Sequence, residues 1–258
     1  MGAFYFSKMK LNHIHNEICK DIYCKYSDLH DSKKEILGIN NPIGDCAICE
    51  SKISGKKTFS DSIFIFDWDD TLMCTSFLTP LGTFAETEVK FDKDQMESIK
   101  ILDDSVFRLL FSTMVLGDTY VVTNASKSWV NYSAEKFYPK VNSLLTKIEI
   151  LSARDSYEES FPMNNKQWKI STFLDIKSKY HTASNVNIIC IGDSHIEMQA
   201  ANALAAEFNI SYLKTIKFRE SPKIEELIKQ INLITKNLKN IYEEKKNLSI
   251  TVEKKKKS

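Results

Sequence analysis

Strand-like and helix-like segments alternate along the chain from Ile63 onward. Apolar residues spaced three or four apart predict helices between short runs that are rich in branched apolar residues. These runs predict five strands, at residues 63–66, 119–123, 148–151, 187–191 and 212–218. Because strands that alternate with helices are joined by right-handed crossovers, the pattern predicts an α/β fold: a Rossmann-like three-layer sandwich with a central parallel sheet.

The last helix has the clearest periodic pattern. Ser221 and Pro222 are typical of a helix start, and leucines and isoleucines then recur every three or four residues as far as Ile241. The stripe favours a helix laid on the sheet; the alternative is a short coiled-coil seam for self-association, although it spans few heptads. We therefore predict an α/β domain at residues 61–246 and a basic, disordered tail at residues 247–258.

Residues 1–60 differ from the rest, since they are polar and show no sustained hydrophobic period. They predict an irregular N-terminal extension. Cys46 and Cys49 have the spacing of a zinc knuckle, and Cys19 and Cys24 are candidates for a second pair of Zn²⁺ ligands. The unusual four-residue gap between Cys19 and Cys24 and the lack of flanking glycine turns favour free, reduced thiols or disorder instead.

Composition narrows the class of protein. The chain has 258 residues, 43% of them apolar, which suffices for a substantial core. A net charge of +1 produces no overall field that would favour nucleic acid or a membrane surface. No apolar stretch reaches the length of a membrane span or forms a signal peptide. These features predict a soluble protein of the cytoplasm, with the nucleus as the alternative.

Polar, reactive residues follow three of the predicted strands at the sheet edge where parallel sheets bind ligands. They are Asp67 and Asp69 after the first strand, Thr123 and Asn124 at the end of the second, and Asp193 and Glu197 after the fourth. A lysine at the start of the preceding helix, Lys169 in preference to Lys166, adds a positive charge. Carboxylates, a hydroxyl and an ammonium at one edge indicate a site for phosphate and a divalent cation, and hard oxygen ligands select Mg²⁺.

The segments DWDDT, VVTNAS and GDSHIE, with a lysine before the last, resemble in order the four motifs of the haloacid dehalogenase (HAD) superfamily. The resemblance covers about residues 63–218, and its first motif is the specific one. The residues that flank these motifs also resemble those of a group of protist members of the superfamily. The superfamily's cap domain has no room here, because the segments after the first and third strands are short, so we expect a minimal cap or none.

The resemblance implies a Mg²⁺-dependent phosphoester hydrolase that works through an aspartyl-phosphate. Asp67 would be the nucleophile, and Asp69 would protonate the leaving oxygen and later deprotonate water. Thr123 and Lys169 would bind the phosphoryl group, while Asn124 would orient substrate or hold its own loop.

The implied Mg²⁺ ligands are Asp67, Asp193 and the main-chain carbonyl of Asp69. Glu197 stands where the family often has a second aspartate, and would reach the metal through water or form a salt bridge. An uncovered site favours a phosphoprotein as substrate, whereas a roofed one would suit a small metabolite. The rival hypotheses are a catalytically weak phosphate-binding module and an assembly protein on the same fold.

Overall fold

A computed structural model describes residues 61–79, 90–180, 183 and 185–253. Within them, six parallel strands form one sheet in the order β3-β2-β1-β4-β5-β6. The strands are β1 (Asp61–Phe66), β2 (Asp118–Thr123), β3 (Glu149–Ser152), β4 (Val186–Gly192), β5 (Ser211–Lys217) and β6 (Leu248–Thr251). The predicted Rossmann-like parallel fold is confirmed.

Helices connect the strands as right-handed crossovers require. In the described residues they are α1 (Thr75–Leu78), α2 (Lys93–Leu116), α3 (Lys127–Phe137), α4 (Pro139–Leu145), α5 (Ala153–Tyr157), α6 (Asn165–Lys177), α7 (His195–Ala206) and α8 (Ile224–Glu243). In this part of the chain, the segments after β1 and β3 hold only the short helices α1 and α5, although residues 80–89 lie outside it. None of the described helices has both the length and the apolar character needed to cross a bilayer.

The central strand β1 is buried on both faces, which explains its continuous apolar run. Ile63 and Ile65 pack with side chains of α6 and α7 in one core cluster. Phe64 points to the opposite face, where its ring stacks on Tyr242 of α8 with the centroids 6.3 Å apart. Helix α8 packs there against α2. The sheet is thereby covered on both sides, and its strand ends are left to form a site.

Two predictions about the C-terminal region are wrong. Residues 248–251 are not part of a disordered tail, because β6 pairs in parallel with β5 and Val252 N donates to the Lys217 carbonyl at 2.9 Å. Alternate residues of β6 are half-buried, as in an edge strand. Ser221 does not cap α8 either: it has a φ of 46°, and the helix starts two residues later, where Lys223 N donates to Glu226 Oε2 at 3.2 Å.

The apolar stripe of α8 is buried within the chain. Its buried members are Ile224, Leu227, Ile231, Ile234, Leu238 and Ile241. This burial supports the alternative in which the helix lies on the sheet. Self-association through α8 stays a prediction, and it would have to use the outward face, where Leu233 is exposed.

The residues of the predicted zinc site fall outside the described residues. Cys19, Cys24, Cys46 and Cys49 all belong to residues 1–60, as does the whole predicted N-terminal extension. The two cysteines of the α/β domain, Cys74 and Cys190, are free and buried.

Candidate active site

Asp67 lies at the carboxyl end of β1, in the middle of the sheet. Its backbone N–H donates to the Ile191 carbonyl of β4 at 3.0 Å, which continues the strand ladder and fixes the position of the residue. Its side chain is buried beneath the sheet edge. Carboxylate oxygen Oδ1 accepts a hydrogen bond from Lys169, whereas no hydrogen bond from the described residues reaches Oδ2. One oxygen of Asp67 is therefore held and the other is left available.

Lys169 enters the site from the first turns of α6. Its ammonium forms ion pairs with Asp67 Oδ1 and, at 2.9 Å, with Glu197 Oε1. Its side chain is only 1% exposed, whereas Lys166 one turn earlier is exposed. The structure thus places Lys169, and not Lys166, against the predicted nucleophile.

Glu197 has both of its carboxylate oxygens engaged. Oε1 accepts from Lys169, and Oε2 accepts from the N–H of Ser194 at 3.0 Å and from the Ser194 hydroxyl, which forms a capping box at the start of α7. The close approach of Glu197 to the strand end requires a glycine, since a Cβ at Gly192 would lie 2.5 Å from Glu197 Cγ. The arrangement matches the salt-bridge alternative for Glu197.

Asp193 follows β4 directly and lies at the mouth of the site. No side chain of the described residues donates to its carboxylate. Burial and the nearby negative charges of Glu197 and Asp70 raise the pKa of Asp193 to about 7. Its main-chain carbonyl accepts from Lys217 Nζ at 2.9 Å, which ties the loop after β4 to the end of β5. Its own backbone N–H lowers the pKa of this carboxyl slightly, but among the described residues no side chain holds the carboxylate.

Asp69 is held by three side chains from other parts of the edge. Oδ1 accepts from Thr75 Oγ1 at 2.6 Å and from Trp129 Nε1 at 2.9 Å. Thr123 Oγ1 lies 3.4 Å from Oδ2 and accepts from Ala125 N at 2.9 Å. Thr123 thus meets Asp69, as strand ends of neighbouring parallel strands should.

Trp129 and Thr75 were not predicted as site residues. Trp129 lies in the first turn of α3, directly after β2, and Thr75 begins α1, directly after the loop that follows β1. The first turn of a helix that follows a parallel strand lies at the same edge as the strand end. The position of these residues in the first turn after a strand could have been recognised from the sequence. The sequence does not show, however, which side chain of the first turn points into the site.

Two buried oxygens near these residues lack a hydrogen-bond partner among the described residues: Asn124 Oδ1, after β2, and Thr71 Oγ1, in the loop after β1. A buried polar atom without a partner costs about 1–3 kcal/mol, and such atoms are typical of ligand sites. Asp70, read from the sequence as a capping or solvated side chain, is buried and accepts from Ser76 N in the first turn of α1 at 2.9 Å. Its backbone has a φ of 54°.

The site carries an excess of negative charge. Of the described residues, only Lys169 forms an ion pair with its carboxylates. Burial raises the pKa of Asp67 well above its usual value, although Lys169 acts in the opposite direction. The carboxylates of Glu197, Asp193 and Asp69 raise it further. Burial would lower the pKa of Lys169, but its two carboxylate partners raise it, so the lysine stays charged.

This imbalance fits a bound cation, because a divalent ion would offset the repulsion between carboxylates. In the described part of the chain, no three side chains of His, Cys, Asp and Glu are grouped so that they would hold a metal by themselves. Any cation here would therefore depend on two carboxylates, a main-chain carbonyl and water or substrate oxygens, which is the ligand set that Mg²⁺ tolerates. Comparisons with protein-family models, curated proteins and solved structures find no match to this chain.

Proposed function

We propose that the protein is a Mg²⁺-dependent phosphoester hydrolase of the HAD type. The observation that carries the proposal is the state of Asp67: one oxygen is held by a buried lysine, and the other faces the site without a hydrogen bond from the described residues. Glu197, in contrast, has both of its carboxylate oxygens in hydrogen bonds. The same edge also carries an acid, Asp69, and a hydroxyl, Thr123.

In the proposed reaction, Asp67 Oδ2 attacks the phosphorus atom of a bound phosphomonoester. The bond from phosphorus to the leaving oxygen breaks, and Asp69 gives that oxygen a proton. Thr123 donates to the phosphoryl oxygens, and Lys169 keeps Oδ1 of the nucleophile in place while it compensates the negative charge of the transferred group. Water then attacks the phosphorus atom of the aspartyl-phosphate and gives a proton to Asp69. The bond between Asp67 and phosphorus breaks, inorganic phosphate leaves, and the site returns to its starting state with Asp67 ionised and Asp69 protonated.

The residues suited to hold Mg²⁺ are Asp67, Asp193 and the main-chain carbonyl of Asp69. When bound, the ion would reduce the repulsion among the carboxylates and polarise the phosphoryl group. Glu197 acts through Lys169 instead, since its oxygens are already engaged. The proposed substrate is a phosphoprotein or a small phosphorylated metabolite, as the sequence predicts. The proposed compartment is the cytoplasm.

The test is hydrolysis of an aryl phosphate by the purified full-length chain, with and without Mg²⁺. We expect metal-dependent turnover, reduced by a factor of about 10³ or more in Asp67→Asn. Asp94→Asn is the matched control, because it makes the same change at an exposed position in the first turn of α2. Equal turnover in wild type and Asp67→Asn would refute the proposal, and tight phosphopeptide binding without turnover would favour a phosphate-binding module.

A further inference from the structure

The two oxygens of Asp69 have different surroundings. Oδ1 accepts two short hydrogen bonds, from Thr75 Oγ1 at 2.6 Å and from Trp129 Nε1 at 2.9 Å. From the part of the chain that the structure describes, Oδ2 receives only the longer hydrogen bond from Thr123 Oγ1, at 3.4 Å. An indole N–H donates and never accepts, so a proton on Oδ1 would face the indole hydrogen. A proton on Oδ1 would displace one of its two donors, whereas Oδ2 can take the proton with both of these hydrogen bonds kept, so the surroundings favour a proton on Oδ2.

The Trp129 indole is held in a fixed position, so the difference between the two Asp69 oxygens is maintained. Trp129 is 1% exposed and lies in the first turn of α3, where its backbone N–H donates to the hydroxyl of the capping residue, Ser126, at 3.2 Å. Its Nε1 reaches across 60 residues of sequence to Asp69. The hydrogen bond is thus made by a side chain whose position is set by helix capping and packing. Helix α3 is also tied to the loop that carries Asp69, because Trp68 Nε1 donates to Ser133 Oγ at 3.0 Å.

We propose that Trp129 is a positioning residue for Asp69: its hydrogen bond to Oδ1 keeps the proton of the acid on Oδ2, from which an alkoxide leaving group would take it. The inference rests on the proposed hydrolase function. In the first half-reaction, the bond between Asp67 and phosphorus forms, the bond between phosphorus and the ester oxygen breaks, and the Oδ2 proton moves to that oxygen. An alkoxide is too basic to leave without this proton, whereas a stabilised phenolate or an acyl phosphate needs it little.

The proposal predicts a dependence on the leaving group. The variant Trp129→Phe removes the N–H and keeps an aromatic ring, and kcat/KM is compared for two esters of similar size, benzyl phosphate and 4-nitrophenyl phosphate. We use kcat/KM because it reports the half-reaction in which the leaving group departs. We expect a loss of about tenfold with benzyl phosphate and of less than about twofold with 4-nitrophenyl phosphate. Thr75→Val, which removes the other donor to Oδ1, should shift the ratio in the same direction.

Trp168→Phe is the matched control. It also removes a buried indole N–H, the one that donates to the Phe161 carbonyl at 2.6 Å, and any loss it causes should be equal for the two esters. Circular dichroism of each variant would show that it is folded. An equal loss with both esters in Trp129→Phe would overturn the inference, while inactivity of Asp67→Asn would leave the hydrolase function standing. Turnover retained in Asp67→Asn would overturn the function itself.

Discussion

Lys169 is the residue whose removal should disturb the site most. The change to methionine keeps most of the side-chain length and deletes the ammonium, so it separates charge from packing. In the wild type that ammonium contacts two carboxylates, and the side-chain exposures are 1% for Lys169, 8% for Asp67 and 4% for Glu197. The ion pairs are therefore shielded from water, and solvent would compensate little for their loss.

The expected loss of stability follows from the charges that remain after the substitution. Breaking a buried ion pair by removing one partner destabilises a protein by about 3–5 kcal/mol, because a buried charge is left uncompensated. Glu197 keeps its two donors from Ser194, but Asp67 loses the hydrogen bond to Oδ1. We therefore expect Lys169→Met to lower the free energy of unfolding by about 3 kcal/mol, the lower end of that range.

Urea unfolding followed by far-UV circular dichroism, without divalent cations, measures this change. The matched control is Lys179→Met, which breaks the exposed ion pair with Glu149, whose side chains are 43% and 47% exposed, and should cost less than about 1 kcal/mol. In the double variant Lys169→Met with Glu197→Gln, the loss should be smaller than in Lys169→Met alone, since one of the two uncompensated charges is gone. Equal stability losses in Lys169→Met and Lys179→Met would refute the buried cluster of charges.

Three further predictions concern the scaffold. Gly117→Ala should lower the free energy of unfolding by about 2 kcal/mol or more, because the new Cβ would lie 2.2 Å from the backbone oxygen of Ser62; unchanged urea stability would contradict this. Asp103→Ala should cost about 2 kcal/mol, since the carboxylate accepts two N–H groups at the start of α4, each at 3.0 Å; the same unfolding assay measures it. Burial lowers the pKa of Lys214 to about 8, so above that pH the unfolded chain binds more protons than the folded one. The free energy of unfolding of wild type should therefore rise by about 2 kcal/mol relative to that of Lys214→Met between pH 7.5 and 9.5. A difference that stays constant over this pH range would contradict the burial of a charged amine.

The sequence was most informative where a rule of topology applied. Asp67, Thr123 and Asp193 follow three strands that the apolar runs identified, and parallel strands bring their carboxyl ends to one edge. The strand order β2-β1-β4 places these three positions next to one another. The choice of Lys169 over Lys166 agrees with the structure because the residue beside a buried tryptophan faces inward, whereas its neighbour one turn earlier is exposed.

The features that were missed depend on contacts between distant segments. The hydrogen bond from Trp129 to Asp69 and the engagement of both Glu197 oxygens follow from side-chain directions, which spacing does not specify. Strand β6 has only Leu248 and Ile250 as apolar residues and is followed by a run of lysines, so composition outweighed its weak alternation. The predicted start of α8 was wrong because Ser221 is a residue type that often caps helices, but its backbone, with a φ of 46°, does not have the extended conformation of a cap.

Strand β6 has a practical consequence for anyone who trims the chain. A cut at residue 246, which the lysine-rich ending invites, would remove the partner of β5 and uncover a row of free N–H and C=O groups along a strand whose central residues are buried. Such an open edge recruits strands from other molecules. Expression of the shortened polypeptide should therefore yield aggregates, whereas a chain that retains residues up to 253 keeps β5 paired with the short, half-exposed strand β6.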